Sequence, residues 1–182
     1  MAESDEWMEL PIPHESAWLS RAPGRGVLGD LAIDHVGIAV RDVDAAMARF
    51  STLLGLGDWS RIEMSTTVTY RGVEQVVGGI IAVARMGPIN LELVQPTHGS
   101  WTPVDVLETL GEGLYHLGFR VADVDTTMRL AADAALHAAE VGHHDGQPIC
   151  TYTEGGDLHG VCLEFVAPRM PNVMFQKFEH VP

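Results

Sequence analysis

Between residues 32 and 40 the chain alternates. Val36, Ile38 and Val40 fall on one side, and His35, Gly37 and Ala39 on the other, which is the period of a half-buried strand. Residues 114–121 do the same, with Leu117, Phe119 and Val121 opposed to His116, Gly118 and Arg120. Each strand leads to an aspartate suited to cap a helix, Asp42 or Asp123. The helix predicted after Asp42 carries Val43, Met47, Phe50 and Leu54 on one stripe, and the helix after Asp123 carries Val124, Met128 and Ala131. Apolar or β-branched runs near 66–70, 79–86 and 89–95 predict three more strands in the first half. In the second half, strands are expected near 147–153, just before Gly160, and over 160–166. Each half therefore reads β-α-β-β-β.

The two halves are copies. Residues 33–49, IDHVGIAVRDVDAAMAR, and 114–130, LYHLGFRVADVDTTMRL, share seven of 17 positions at a constant offset of 81. Residues 91–96, LELVQP, and 163–168, LEFVAP, share four of six at an offset of 72. Each copy opens on a histidine strand and closes on a glutamate strand, and the unequal spacing between them belongs in loops. The expected fold class is α+β, with two tandem βαβββ modules forming a curved mixed sheet around a groove. The modules span 32–97 and 113–168, joined by a linker helix within 98–112 that Pro103 opens and Gly111 closes. Residues 1–31 form an N-terminal extension, expected as an extended arm whose Trp7, Trp18 and Leu19 pack on the body or on a second subunit. Residues 169–182 form a C-terminal tail.

Parity brings four polar residues to one side of the sheet. Opposite the helix-facing positions, the first strand of each module presents His35 or His116. The last strands present Asn90, Glu92 and Val94, or Cys162, Glu164 and Val166. If the modules pair about a pseudo-twofold axis, two imidazoles and two carboxylates converge. Singly, each histidine could be a satisfied core residue and each glutamate a surface residue. In the same phase of a duplicated unit they read as ligands for one divalent metal ion (Zn, Co, Ni, Mn or Fe).

Composition narrows the partners. The 182 residues carry 25 acids and 11 Lys and Arg, a net charge of −14. That field disfavours nucleic acid and anionic membranes. No apolar run approaches the ~20 residues of a membrane span, and the acidic start MAESDEWMEL is unlike a secretory signal. Two cysteines make no disulfide framework, and a cytoplasmic setting is expected.

IDHVGIAVRDVDAAMARF, GLYHLGFRVADVD, INLELVQP and GVCLEFV resemble the opening and closing segments of the vicinal oxygen chelate superfamily. That superfamily includes glyoxalase I, methylmalonyl-CoA epimerase, extradiol dioxygenases and bleomycin-resistance proteins. The resemblance covers roughly residues 32–168 and is strongest to the epimerase and glyoxalase branch. It implies His35, Glu92, His116 and Glu164 as metal ligands. It also implies an enzyme that moves a proton through an enolate beside a carbonyl, with Glu92 and Glu164 as bases. Some epimerases of the family carry a further carboxylate on the third strand of the first module. GGIIAVARM has none, so Glu74, just before it, is the candidate substitute, with an exposed turn residue as the alternative. Arg120, Arg85, Asn90 and Tyr152 are the expected substrate contacts, with an ion pair to an acid as the alternative for Arg120. Tyr152 and His144 are expected at the groove mouth, and the run His143–Asp145 in a solvated turn.

The expected reaction is therefore a methylmalonyl-CoA-epimerase-like isomerisation of a carbonyl or acyl-thioester substrate by a homodimeric enzyme. Alternatives are a glyoxalase I-type lyase, a lyase or cyclase of secondary metabolism, an extradiol-type dioxygenase and a metal-free binding protein of the bleomycin-resistance type. A fourth protein ligand disfavours the dioxygenase, which uses two histidines and one carboxylate.

Overall fold

A computed structural model describes residues 7–9, 28, 31–171 and 175–181. The first module runs β2 (Ile33–Ala39), α1 (Val43–Leu54), β3 (Trp59–Tyr70), β4 (Val73–Met86) and β5 (Ile89–His98). The second runs β6 (Gly113–Arg120), α3 (Val124–Asp133), β7 (Ala138–His144), β8 (Gln147–Thr153) and β9 (Cys162–Val166). Between them lies α2 (Thr102–Thr109), with proline in its first turn. β1 (Trp7–Glu9) pairs antiparallel with β10 (Arg169–Pro171), which ties the N-terminal arm to the C-terminal tail. Trp18 and Leu19 lie outside the described residues.

Both helices start as the sequence requires. Asp42 accepts from the Ala45 N–H and Asp123 from the Thr126 N–H, each supplying one of the partners a first turn lacks. Val43 and Met47 are buried on α1, whereas Leu54, expected on the same stripe, is exposed beside the left-handed C-cap Gly55.

Within each module the first strand lies parallel to the last, β2 to β5 and β6 to β9, and the remaining ladders are antiparallel. The modules join within one chain through an antiparallel β2–β6 pair. The order β3-β4-β5-β2-β6-β9-β8-β7 then closes on itself, because Val68–Tyr70 of β3 pair with Glu140–Gly142 of β7. The other end of β3 pairs with β11 (Phe175–Val181). The result is a curved mixed sheet of eight strands closed into a ring, with β11 as a ninth strand on β3. Val43, Met47, Trp59, Leu91 and Leu93 fill the space between α1 and the outer face. Val121, Val124, Ala131 and Phe165 do the same under α3. Burying each such side chain contributes about 1.5–3 kcal/mol. Inside, Trp101 and Leu107 from the linker meet Val77, Val94, Tyr115 and Tyr152.

One strand expectation fails. The segment before Gly160 is a short 3-10 turn, Gly156–Leu158, and the missing strand is β7, residues 138–144. Its sequence AAEVGHH has weak strand propensity. Pairing with both β8 and β3 holds it extended. His143 and His144 are therefore strand residues, and only Asp145–Gly146 make the turn. Their φ values of 49° and 74° suit the tight hairpin that Asp-Gly favours. Among the described residues, no helix is long and apolar enough to cross a membrane.

Candidate metal centre

His35, Glu92, His116 and Glu164 each offer a ligand atom, and these atoms all lie within 4.8 Å of one another. His35 and Glu92 come from the parallel β2–β5 pair, and His116 and Glu164 from β6–β9. His35 Nε2 is 2.6 Å from Glu164 Oε2 and 3.9 Å from Glu92 Oε2. His116 Nε2 is 3.3 Å from Glu164 Oε2 and 3.8 Å from Glu92 Oε1. The two imidazoles meet edge to face, centroids 5.0 Å apart.

Two glycines make this possible. In the β2–β6 ladder His35 pairs with Gly118, and His116 with Gly37. Each ring occupies the space above the other strand's glycine, so a Cβ at 37 or 118 would fall inside it. Two bulges in the same ladder act alongside. The register skips one residue between Ile33 and His35 on β2, and one between His116 and Leu114 on β6. The extra residues are Asp34 and Tyr115, equivalent positions of the repeat. A bulge re-aims its side chain. Tyr115 is thus fully buried beside His116 while Leu114 is exposed.

Electrostatics separate the four ligands. For Glu92, burial is the largest influence and drives the carboxyl upward. Burial also acts on Glu164, but the hydrogen bond and charge of His35 outweigh it and hold the group ionised. Burial holds His116 down at about 3, so its ring is neutral. It is fully buried, and neither ring nitrogen has a hydrogen-bond partner among the described residues. Burial also opposes charge on His35, but Glu92, Asp34 and Glu164 raise it well above the usual range. An orphaned buried imidazole beside two carboxylates and a second imidazole is costly without a common partner. A divalent cation fits that donor set.

The remaining expected residues divide. Tyr152 lies deeper than the groove mouth, buried and edge-on to His116 with centroids 5.3 Å apart. Asn90 is buried, and its Nδ2 donates to the Asp34 carbonyl at 3.0 Å. Arg120 makes the alternative contact, an ion pair with Asp34 at 3.2 Å, and also donates to the Pro168 carbonyl. Arg85 is exposed, opposite Asn90 on β4, and its Nε donates to the Gly87 carbonyl. Glu74 does not join the cluster. It is exposed beside the β3–β4 turn. It lies roughly 30 Å along β4, at about 3.3 Å per residue, from Val83, the residue paired with Glu92. No strand phase could bring it to the ligands.

Sequence reasoning missed Asp34 and Glu140. Asp34 Oδ2 is 3.0 Å from His35 Nδ1. Its place immediately before a ligand histidine was the available signal, but strand parity pointed it away, and only the bulge turns it inward. Glu140 is buried on β7, where its Oε2 accepts from the N–H and hydroxyl of Thr102 and caps α2.

The family model described as Glyoxalase/Bleomycin resistance protein/Dioxygenase superfamily matches residues 34–153. The chain belongs to this superfamily. Among curated proteins, a 2-epi-5-epi-valiolone epimerase from Actinomyces sp is 30% identical over 126 residues, covering 56% of this chain and 58% of that protein. The match thus spans little more than half of that relative. A methylmalonyl-CoA epimerase variant from Streptomyces coelicolor, in complex with 2-nitronate-propionyl-CoA, is 26% identical with a TM-score of 0.51, covering 75% of this chain and 93% of that one. The Mycobacterium tuberculosis methylmalonyl-CoA epimerase shares the fold at 22% identity and a TM-score of 0.51, covering 78% and 89%. Proteins similar to this chain thus include epimerases.

Proposed function

We propose that this protein is a metal-dependent epimerase or isomerase that moves a proton on the carbon beside a carbonyl. The observation carrying this reading is the convergence of His35, Glu92, His116 and Glu164, with ligand atoms within 4.8 Å of one another. His35 and His116 through Nε2, with Glu164 and Glu92 through carboxylate oxygens, would hold one divalent ion. Such an ion supplies a charge that polarises the carbonyl and acidifies the neighbouring C–H.

The chain's own groups then have separable tasks. Glu164 is the closer carboxylate to both imidazoles and serves chiefly as a ligand. Glu92 stands 3.8–3.9 Å from the same rings. It is the looser carboxylate and takes the proton on a carboxylate oxygen. Epimerisation needs the proton returned to the opposite face, either from Glu164 or from Glu92 after it moves. Tyr152, whose hydroxyl burial keeps protonated, packs edge-on against His116.

The substrate class follows the epimerase relatives. An acyl thioester of the methylmalonyl-CoA type is the first reading, supported by the structural relatives that bind such compounds. A ketone related to 2-epi-5-epi-valiolone is the second, supported by the curated relative. The test is proton NMR in D₂O with metal-loaded protein and each compound in turn. Exchange of the proton beside the carbonyl, abolished in Glu92→Gln, is expected with one of them. No exchange with either, together with conversion of a glutathione hemithioacetal, would favour the lyase instead.

A further inference from the structure

The two halves of the centre are not equivalent. The repeat places Asp34 before His35 and Tyr115 before His116, and both positions are bulged in the β2–β6 ladder. Asp34 is bound on three sides. Its Oδ2 accepts from His35 Nδ1 at 3.0 Å, its Oδ1 accepts from Arg120 Nε at 3.2 Å, and its carbonyl accepts from Asn90 Nδ2. Arg120 is itself tethered to the Pro168 carbonyl, and its side chain is only 8% exposed. His116 has no such support. Tyr115 packs its ring edge-on, centroids 4.4 Å apart, and His116 Nδ1 has no partner among the described residues.

A carboxylate at the remote nitrogen of a ligand imidazole fixes which nitrogen carries the proton and which way the ring faces. We propose that Asp34, turned inward by its bulge and clamped by Arg120 and Asn90, is a positioning residue for the metal centre. It holds His35 with Nδ1 protonated and Nε2 turned toward the other three ligands. His35 is then the anchored ligand and His116 the adaptable one. This rests on the metal reading above, and it assigns to Arg120 a structural task in place of the substrate contact.

The test is Zn(II) affinity by chelator competition in wild type, Asp34→Asn, Arg120→Met and the double variant, alongside the melting temperature of each metal-free protein. Asp34→Asn is expected to weaken binding about 10–100-fold, and Arg120→Met by less. The double variant should be no weaker than Asp34→Asn, because Arg120 acts through Asp34. A second readout needs no variant to fold well. In Zn(II)-loaded wild type, ¹⁵N-histidine NMR should show His35 protonated at Nδ1 and ligated at Nε2. Wild type taking up no Zn(II) would overturn the metal reading and this inference with it. Wild type binding Zn(II) while Asp34→Asn binds equally well, or His35 ligating through Nδ1, would overturn this inference alone.

Discussion

Gly37 leaves room for His116: a Cβ at position 37 would lie 1.8 Å from Cε1 of the imidazole. The relation is reciprocal, since a Cβ at position 118 would lie 2.0 Å from Cε1 of His35. Both contacts are with rings confined by the ladder, so neither neighbour can yield by a few tenths of an ångström. Gly37→Ala and Gly118→Ala are each expected to displace one ligand and to cost about 1–3 kcal/mol of stability through overpacking. Elemental analysis of the purified variants should find the metal lost or far below the wild-type content, and urea denaturation should find the destabilisation.

The carboxylates should separate sharply by position. Glu164→Gln removes the closest charge from both imidazoles and is expected to abolish metal retention. Glu92→Gln should retain part of the metal but lose proton exchange by at least about 100-fold, the range of a lost general base. Glu74→Gln, exposed and far along β4, should change neither. Isotope exchange assayed beside metal content distinguishes the three.

Glu140 gives a pH signature away from the ligands. Burial raises its carboxyl from 4.5 to about 7, against the two hydrogen bonds from Thr102. The folded metal-free protein therefore keeps a proton that the unfolded chain releases above pH 4.5. This contribution to stability is fully present below that pH and is lost as the pH rises toward 7. It amounts to up to about 3 kcal/mol. Glu140→Gln retains an acceptor for Thr102 but cannot ionise. Its urea-unfolding free energy should gain on wild type by up to that amount between pH 4.5 and pH 8.

All four ligands come from one chain, because β2 pairs with β6 of the same polypeptide. Dilution into a monomeric regime should therefore release no metal. Sedimentation velocity followed by elemental analysis of the monomer fraction checks this.

The fold was legible where local pattern and repeat agreed. The alternation around His35 and His116, the Asp42 and Asp123 caps and the Glu92 and Glu164 strands each carry a period that needs no tertiary knowledge. What escaped depended on pairing. β7 is extended because β3 and β8 hold it, although the Asp145-Gly146 pair did advertise a hairpin. Asp34 and Tyr115 escaped because a bulge breaks the parity on which the reading depended. Gly37 and Gly118 were visible as repeated residues, but their purpose appears only once the two strands are set side by side. Glu74 was open to two readings, a substitute carboxylate or an exposed turn residue, and its exposed place beside the β3–β4 turn agrees with the second.

The most direct measurement is divalent metal bound per chain after equilibrium dialysis, read by elemental mass spectrometry, for wild type and for His35→Gln, His116→Gln and Glu164→Gln. About one ion per chain in wild type, abolished in His35→Gln and Glu164→Gln and reduced in His116→Gln, is the expected result. No uptake by correctly folded wild type, or uptake that survives loss of His35 and Glu164, would contradict the assignment of these residues as a metal centre.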